Sequence, residues 1–354
     1  MALNFDSNPR ELIDKFRLHL HRWYRKEHRR LPWRNRPDVY QTVVSEFMCQ
    51  QTQITTVLPY FERWMISFPD FATLARASEE EVLKHWEGLG YYRRARYLHA
   101  VARKLNGMNP PRTAPEWAKL PGIGPYTAAA IASIAFGRAV ACVDGNVVRI
   151  LSRLAGVEQP FTNGGAAVKA FTPLADSLMD DDNPGTHNQA MMELGATVCL
   201  RKKPLCMLCP VQSFCRAGPG GYADRLPRIQ RETTIKQEVD RVWIIRRGRL
   251  LLHRLPEESS RMARLHELPT AAEAGVAPTS LKQYPCKIRR RSITRYRITE
   301  RIWFPPDNAK VTVPIKGTDA CQWVPLDQVE AITLSGPHRR WVKEFLAERA
   351  APTL

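Results

Sequence analysis

Four of the eight cysteines lie within one 17-residue window, and no other feature of the sequence constrains the fold as strongly. Six, two and five residues separate these four: Cys199, Cys206, Cys209 and Cys215. Thiols of intracellular proteins stay reduced, so the window predicts a metal site rather than two disulfides. Zinc ribbons usually have two C-x2-C pairs, whereas this window has one, which makes zinc the less favoured metal. Zinc and disulfides remain as alternatives.

The hydrophobic pattern of the first 215 residues predicts helices throughout. Apolar residues recur there every three or four positions, which is typical of helices with one buried face. The predicted helices are 10–28, 39–49, 53–67, 91–105, 125–136, 146–155 and 186–199. Ser78 and Glu81 form a capping box that predicts a further short helix.

A different pattern begins near residue 239 and predicts an α+β domain. Short β-rich runs predict strands at 239–247, 249–255, 287–293, 296–304 and 322–324, and a helix is predicted at 335–350. Residues 217–222 are rich in Gly and Pro, and the segment up to 238 is polar without a clear period. A linker at 217–238 is therefore expected, which agrees with the two domains that a length of 354 residues suggests.

The net charge of +18 favours an anionic polymer as partner, nucleic acid before an anionic membrane surface. No stretch is long and apolar enough for a transmembrane helix, and the first residues do not resemble a signal peptide. We expect a soluble, cytoplasmic protein. Residues 287–301 contain seven basic side chains and one acid, which predicts a strand pair that presents a basic face to phosphates. A merely solvated face is the alternative.

A two-glycine turn, LPGIGPYTA at 120–128, leads into an Ala-rich helix. Gly122 and Gly124 would let the backbone approach a ligand closely, and a helix N-terminus offers unpaired N–H groups to an anion. An ordinary helix–turn–helix corner would look similar. Twenty residues further on, Asp144 could simply cap the next helix, but its place after a phosphate-binding turn favours a catalytic carboxylate.

Glu46 lies in an otherwise apolar helix, where an unpaired carboxylate would be costly to bury. An Arg partner would explain it structurally. A function that uses a carboxyl group of raised pKa would explain it as well.

Together these motifs resemble the endonuclease III superfamily of DNA glycosylases, and within it the MutY family of adenine DNA glycosylases. The similarity rests on 120–128, on the VDGNV motif at 143–147, on the cysteine spacing, and on 31–34 (LPWR), 44–53 (VSEFMCQQTQ) and 86–96 (WEGLGYYRRAR). It covers residues 10–215 and extends more faintly into the C-terminal part. The resemblance implies a mainly α helix-hairpin-helix glycosylase fold with a [4Fe–4S] cluster loop, followed by an α+β Nudix-like domain.

The same resemblance implies a division into domains. An N-terminal helix (1–29) would pack on the cluster lobe, and a six-helix barrel (30–138) would contain the helix-hairpin-helix. The iron–sulfur cluster lobe would comprise 139–216, with the four clustered cysteines as ligands, and the linker 217–238 would lead to a Nudix-like lesion-recognition domain (239–354). That domain is not expected to hydrolyse nucleotides, because near residue 270 it has only Glu267 and Glu273 where metal-binding glutamates are needed.

By resemblance, four residues form the catalytic site. The target adenine would be flipped out of the duplex. Glu46 would protonate the departing adenine and help to activate water, while Asp144 would stabilise the oxocarbenium-like sugar. Tyr126 and Asn146 would orient this pair.

The resemblance also implies DNA contacts outside the catalytic site. Gln51 and Tyr91 would wedge into the gap left by the flipped base, and Gly122 and Gly124 would bind phosphates. In the C-terminal domain, Thr294 and Arg295 stand where the family commonly has a Phe-Ser/Thr-His loop that reads 8-oxoguanine.

We therefore expect a monomeric, monofunctional adenine DNA glycosylase acting on A:8-oxoguanine and A:G mispairs in double-stranded DNA, associated with the nucleoid of a bacterium. One alternative is an endonuclease III-type pyrimidine-lesion glycosylase/lyase, which Tyr126 disfavours because bifunctional members have a lysine at this position. Another is a non-catalytic iron–sulfur DNA-binding protein, such as a redox-responsive regulator. The paired acids Glu46 and Asp144 argue against that.

Overall fold

A computed structural model describes residues 9–35, 38–230, 233–257, 259, 263–293, 295–306, 309, 311, 313 and 320–350. The chain divides into two compact units. The first comprises Met1–Ala75 and Ala100–Arg231, and the second comprises Arg76–His99 and Glu232–Leu354. No described helix is long and apolar enough to cross a membrane.

The part of the chain before the cysteine window is helical. Its helices are α1 (Pro9–Glu27), α2 (Pro32–Asn35), α3 (Val39–Cys49), α4 (Ile54–Ser67), α5 (Phe71–Arg76), α6 (Glu79–Trp86), α7 (Arg93–Leu105), α8 (Ala114–Trp117), α9 (Pro125–Phe136), α10 (Gly145–Ala155), α11 (Gly164–Leu178) and α12 (Pro184–Thr197). The seven helices predicted from periodicity are confirmed to within two residues at each end. The capping box at Ser78 is also confirmed, because the Glu81 carboxylate accepts from the Ser78 N–H (2.8 Å) and the Glu81 N–H donates to the Ser78 hydroxyl (3.2 Å).

Helix α11 was not predicted from the sequence. It starts with two glycines and contains Pro173, all of which lower helix propensity. Its buried side chains recur at helical spacing: Ala167, Phe171, Leu174, Ala175 and Leu178. Packing of this face into the core of the first unit therefore outweighs the weak local propensity.

Helix α1 packs against α12 and the cysteine window within the first unit. The Phe16 ring meets that of Phe214 edge-on, with centroids 5.7 Å apart. The Tyr24 hydroxyl donates to the Gln189 side chain at 3.2 Å. The N-terminal helix thus lies on the cysteine-bearing part of this unit.

The segment predicted as a linker is partly folded against the first unit. Ala217, Ala223 and Leu226 are buried beside the cysteine window. The Gln230 N–H donates to the Phe161 carbonyl at 3.0 Å. Apolar residues in a Gly- and Pro-rich stretch explain the difference, because they cover the core even though the segment has no regular period.

The second unit combines α6 and the start of α7 with the C-terminal part of the chain. Its strands are β1 (Ile235–Val242), β2 (Ile245–Arg246), β3 (Arg249–Arg254), β4 (His266–Glu267), β5 (Cys286–Ile293), β6 (Tyr296–Trp303) and β7 (Cys321–Pro325), and its later helices are α13 (Pro278–Leu281) and α14 (Gly336–Ala350). One sheet has the order β1-β6-β5, with β1 parallel to β6. In the other, β2, β4 and β7 pair with β3.

Strand alternation corrects the predicted basic face of 287–301. Lys287, Arg289 and Arg291 point to one side of β5, where they pair with Glu348, Glu344 and Glu267 respectively. Arg301 pairs with Asp240 at 2.8 Å. The run is therefore not one open basic surface, because successive side chains of a strand point to opposite faces. Within this run, three exposed arginines form no ion pair with another described residue: Arg290, Arg295 and Arg297.

Residues 76–99 belong to the second unit, although the predicted barrel 30–138 includes them. The Tyr92 hydroxyl donates to the Leu334 carbonyl (3.1 Å), and the Glu87 carboxylate accepts from the Arg339 guanidinium (2.9 Å) and the Leu334 N–H (2.8 Å). Hydrogen bonds between residues more than 240 positions apart are invisible to local periodicity.

Candidate active site

The first unit brings together the four residues predicted to be catalytic. Glu46 lies on α3, among buried apolar neighbours such as Phe47. The Glu46 side chain is partly exposed to solvent. Its carboxyl group has a pKa raised to about 7, and burial is the largest cause. The negative charge of Asp144 raises this pKa further, whereas a hydrogen bond with Tyr126 and the charge of Arg34 lower it.

Asp144 caps α10, as its structural interpretation expects, and its negative charge also acts on the Glu46 carboxyl group, which is compatible with the predicted catalytic role. Its Oδ1 accepts from the backbone N–H groups of Asn146 and Val147, each at 2.8 Å. Its Oδ2 accepts from the Asn146 side-chain amide at 2.8 Å. These bonds fix the carboxylate at the N-terminus of an 11-residue helix, where the helix dipole stabilises negative charge.

Tyr126 stands in the first turn of α9, directly after the two-glycine turn. Its hydroxyl shares a hydrogen bond with Glu46 and lies 3.6 Å from the Met192 sulfur. Burial and the two nearby carboxylates raise the pKa of this phenol well above its ordinary value. Tyr126 therefore remains a neutral hydrogen-bond donor beside the acid pair.

The two-glycine turn leaves its backbone exposed. Gly122 has a φ of +71°, which a side chain would strain, whereas Gly124 is the N-cap of α9 with a φ of −85°. A Cβ added to Gly124 would meet no atom within 4 Å. Both glycines are exposed at this helix start, which is compatible with the predicted phosphate contact.

Arg149, which was not among the predicted site residues, links Asn146 beside the acid pair to the cysteine window. Its Nη1 donates to the Asn146 side-chain oxygen (3.0 Å), while Nη2 donates to the Gly195 carbonyl and Nε to the Cys199 carbonyl (both 2.8 Å). Hydrogen bonds therefore run from Asp144 to the backbone of the first cysteine. A buried Arg in the second turn of an apolar helix was the available sequence signal.

The four clustered cysteines line a single pocket, and all four thiols are free. Arg153 donates to the Cys199 sulfur at 3.2 Å, and the Gly218 N–H donates to the Cys215 sulfur at 3.4 Å. Donors aimed at sulfur suit sulfurs that carry negative charge. Within the described residues, no three His, Cys, Asp or Glu side chains are grouped to hold a single metal ion.

The two residues predicted as wedges are both exposed, and both have a backbone conformation that non-glycine residues rarely adopt. The φ of Gln51 in the first unit is +54°, and that of Tyr91 in the second unit is +49°. The Arg94 guanidinium lies 5.4 Å from the Tyr91 ring centre and donates to the Gly90 carbonyl at 3.1 Å. Such strain persists only where the surroundings enforce it, and it is concentrated at functional sites.

The predicted lesion contacts lie in the second unit. Thr294 is outside the described residues. Arg295 is exposed at the turn between β5 and β6, with its guanidinium 5.7 Å from the Tyr296 ring centre.

Glu267, one of the two glutamates near residue 270, is buried and ion-paired with Arg241 at 2.7 Å, so its carboxylate is already engaged by a protein side chain.

Comparison with known proteins finds relatives for the helical part. Residues 44–163 match the HhH-GPD superfamily of base excision DNA repair proteins. The chain is 48% identical over 217 residues to the adenine DNA glycosylase of Rattus norvegicus, covering 58% of this chain and 42% of that protein. It is 38% identical over 239 residues to the adenine DNA glycosylase of Mycolicibacterium smegmatis, covering 65% of this chain and 76% of that protein. The chain thus spans less than half the length of its mammalian relatives.

Among solved structures, a thermostable thymine-DNA glycosylase covers 60% of this chain with a TM-score of 0.52 and 25% identity. The match includes 98% of that structure.

Proposed function

The chain belongs to the family of adenine DNA glycosylases, and from this premise we propose that it removes adenine mispaired with 8-oxoguanine or guanine in double-stranded DNA. The observation that carries the proposal is the pairing of Glu46, whose pKa is raised to about 7, with Asp144 and Tyr126. A net charge of +18 supports DNA as the partner. We further propose that the protein acts as a monomer at the bacterial nucleoid, where such DNA is found.

Each residue of the site has a proposed role that its geometry supports. Adenine is a poor leaving group unless a ring nitrogen is protonated, and near pH 7 Glu46 is still partly protonated and can donate that proton. Asp144, fixed by three hydrogen bonds, is set to stabilise positive charge that develops on the sugar. The Tyr126 hydroxyl and the Asn146 amide hold the two carboxyl groups in place.

The absence of a lysine at position 126 supports hydrolysis without strand cleavage. A lyase of this superfamily attacks the sugar with a lysine amine and passes through a Schiff base. The phenol of Tyr126 is neutral and already bonded to Glu46, so it offers no such nucleophile.

Binding would combine backbone contacts with wedge residues. Gly122 and Gly124 are proposed to bind phosphates through exposed N–H groups. Gln51 and Tyr91 are proposed to fill the gap left by the flipped adenine, and their strained, exposed positions support this.

We propose that Cys199, Cys206, Cys209 and Cys215 hold a [4Fe–4S] cluster. The shared pocket and the N–H donors to two of the sulfurs suit such a group. When bound, the cluster would hold this loop in a DNA-binding conformation and take no part in the chemistry on the base. Arg149 connects the loop to Asn146, so order in the loop also supports the active site.

The second unit is proposed to be a Nudix-like domain that reads 8-oxoguanine. Its α+β composition and its two small sheets support the assignment. Arg295, exposed at the β5–β6 turn, is the described candidate for the contact, together with Thr294.

The test is excision from duplexes that contain A:8-oxoguanine, A:G, A:T or thymine glycol, with and without alkali. We expect adenine release from the first two, strand breaks only after alkali, and little covalent adduct with borohydride. Strand cleavage of the thymine-glycol duplex without alkali would instead support the endonuclease III-type alternative. Binding without base release from any duplex would support the non-catalytic one.

A further inference from the structure

A buried asparagine on α12, Asn188, bonds to the segment that leads to Asp144. Asn188 is only 3% exposed. Its side-chain oxygen accepts from the Cys142 N–H at 3.0 Å, and its amide nitrogen donates to the Ser133 hydroxyl at 2.8 Å and to the Val140 carbonyl at 2.9 Å. One side chain thus makes three hydrogen bonds in a region where unpaired polar groups are costly.

These bonds tie together the two elements that carry the acid site's partners. Ser133 lies on α9, whose first turn carries Tyr126. Val140 and Cys142 lie in the irregular segment between α9 and α10, which ends at Asp144. Because this segment has no helix or strand ladder of its own, the bonds of Asn188 to Val140 and Cys142 contribute to its path, together with the burial of Cys142 and Val143.

The bonds of Asp144 itself do not supply this restraint. Among the residues that the structure describes, its carboxylate accepts hydrogen bonds from Asn146 and Val147 of its own helix, which fixes it relative to α10. Its distance from Tyr126 and Glu46 depends on how the segment before it meets α9. Asn188 bonds to both sides of that junction.

We propose that Asn188 is a positioning residue that sets the place of Asp144 relative to Tyr126 and Glu46. The inference rests on the proposed function, since it assigns a role in the same reaction. Asn188 acts through the backbone at Val140 and Cys142 and touches no reacting atom.

This role has a signature in the pH dependence. The groups that face Glu46 are Asp144 from the α10 N-terminus, Tyr126 from α9, Arg34 from α2 and the buried Cys142 thiol. If Asp144 moves away, its repulsion weakens and Glu46 loses its proton at a lower pH. The alkaline limb of the excision rate then shifts to lower pH, which a simple loss of folded protein does not cause.

The test uses Asn188→Leu, which keeps the approximate volume and adds no charge. Single-turnover excision from A:8-oxoguanine DNA should fall at least about 10-fold, as expected for a displaced catalytic group. The alkaline midpoint should move to lower pH, while affinity for the duplex stays near that of the wild type. Asn163→Leu is the matched control, since it removes an asparagine that bonds to the Ala166 N–H at 2.9 Å in the same unit.

Ser133→Ala is a second variant for the case that Asn188→Leu folds poorly, because it removes one of the three hydrogen bonds of Asn188. It should change the excision rate and the alkaline midpoint in the same direction as Asn188→Leu, but by smaller amounts. Folding is checked by thermal unfolding before each assay. Unchanged rates and midpoint in a folded variant overturn the inference. So does a rate loss without a shift of the midpoint. The wild-type arm separately tests the proposed function, which fails if the wild type releases no adenine.

Discussion

Glu46 illustrates how the surroundings of one residue create its chemistry. A carboxyl group in water is ionised at neutral pH and cannot donate a proton. Burial on α3, together with the charge of Asp144, brings its pKa to about 7, and Tyr126 and Arg34 limit the rise. The same desolvation that makes Glu46 a usable acid makes its ionised form unfavourable in the folded protein.

The activity of Glu46 should therefore depend on its proton. Excision should fall as pH rises through about 7, because the protonated fraction of Glu46 declines. Glu46→Gln should fold and bind mispaired DNA but release adenine at least ~10²-fold more slowly. Single-turnover excision across pH 5–9 measures both effects, and wild-type rates in the variant would remove Glu46 from the mechanism.

The raised pKa of Glu46 should also lower the stability of the folded protein at high pH. The folded pKa of Glu46 lies above its unfolded value, so the ionised carboxylate destabilises the folded protein. This destabilisation is absent below about pH 4.5, grows as the pH rises to about 7 and is constant above that. Glu46→Gln should raise the free energy of unfolding by about 3 kcal/mol at pH 8. Denaturant titrations at pH 5 and pH 8 should show the gain mainly at the higher pH. An equal gain at both would contradict this account.

At the scale of elements, the site depends on helix starts and on the turns that lead into them. Tyr126 follows a two-glycine turn, Asp144 caps α10, and Tyr91 is held in a left-handed turn beside Arg94. Each turn exposes backbone or an aromatic ring while the helix behind it is buried. Short-range geometry of this kind is what the motifs at 86–96, 120–128 and 143–147 encode.

The two glycines of the turn before α9 should respond differently to an added methyl group. Gly124→Ala should leave the unfolding temperature nearly unchanged, since its φ is negative and the space is open, but weaken binding to all duplexes alike. Gly122→Ala should lower stability by about 1 kcal/mol because of its φ of +71°. Thermal unfolding and binding at several salt concentrations separate the two. Unaltered affinity in Gly124→Ala would count against phosphate contact here.

The cysteine window should bind its cluster as one unit. Aerobically purified protein should be brown, and Cys206→Ser should lose colour and DNA binding together, because ligation orders the loop. Cys286→Ser, at an exposed cysteine of β5, is the control and should keep both. Visible absorption, iron content and binding assays measure this. A colourless native protein with one zinc would refute the cluster assignment.

At the scale of the whole molecule, residues 76–99, which include α6 and the start of α7, are part of the second unit although the predicted barrel 30–138 includes them. The contacts of Glu87 and Tyr92 with Arg339 and Leu334 keep the Tyr91 turn in place. Within this unit the buried Arg241 guanidinium also bonds to both Glu267 and Glu300 at 2.7 Å. The residues on either side of Tyr91 in this segment thus bond to a part of the chain more than 200 residues later.

A chain ending at Gln230 should show this dependence. Removing the later residues takes away the partners of Glu87 and Tyr92, so amide hydrogen exchange at 86–92 should become faster. Exchange in α10 should change little, since its hydrogen-bond partners lie in the first unit. Hydrogen exchange with mass spectrometry compares the two chains directly. Protection retained at 86–92 would show that these contacts do not hold the turn.

The features that the sequence determined by itself are local ones. Helix periodicity, capping, the two-glycine turn and the spacing of motifs each reflect interactions within a few residues, and the resemblance they support is confirmed by the relatives. Tyr126 in place of lysine is a single-residue signal of the same kind. The cluster and the roles of the wedge residues stay predictions.

Only the tertiary structure decided features that depend on distant partners. Burial of one face makes α11 a helix despite Pro173, and strand alternation turns a basic run into separate ion pairs. The links made by Arg149 and Asn188 join α10 and the segment before it to residues about 50 positions away. Sequence patterns report which side chains are buried but not which partner each one meets, because that depends on how the elements pack.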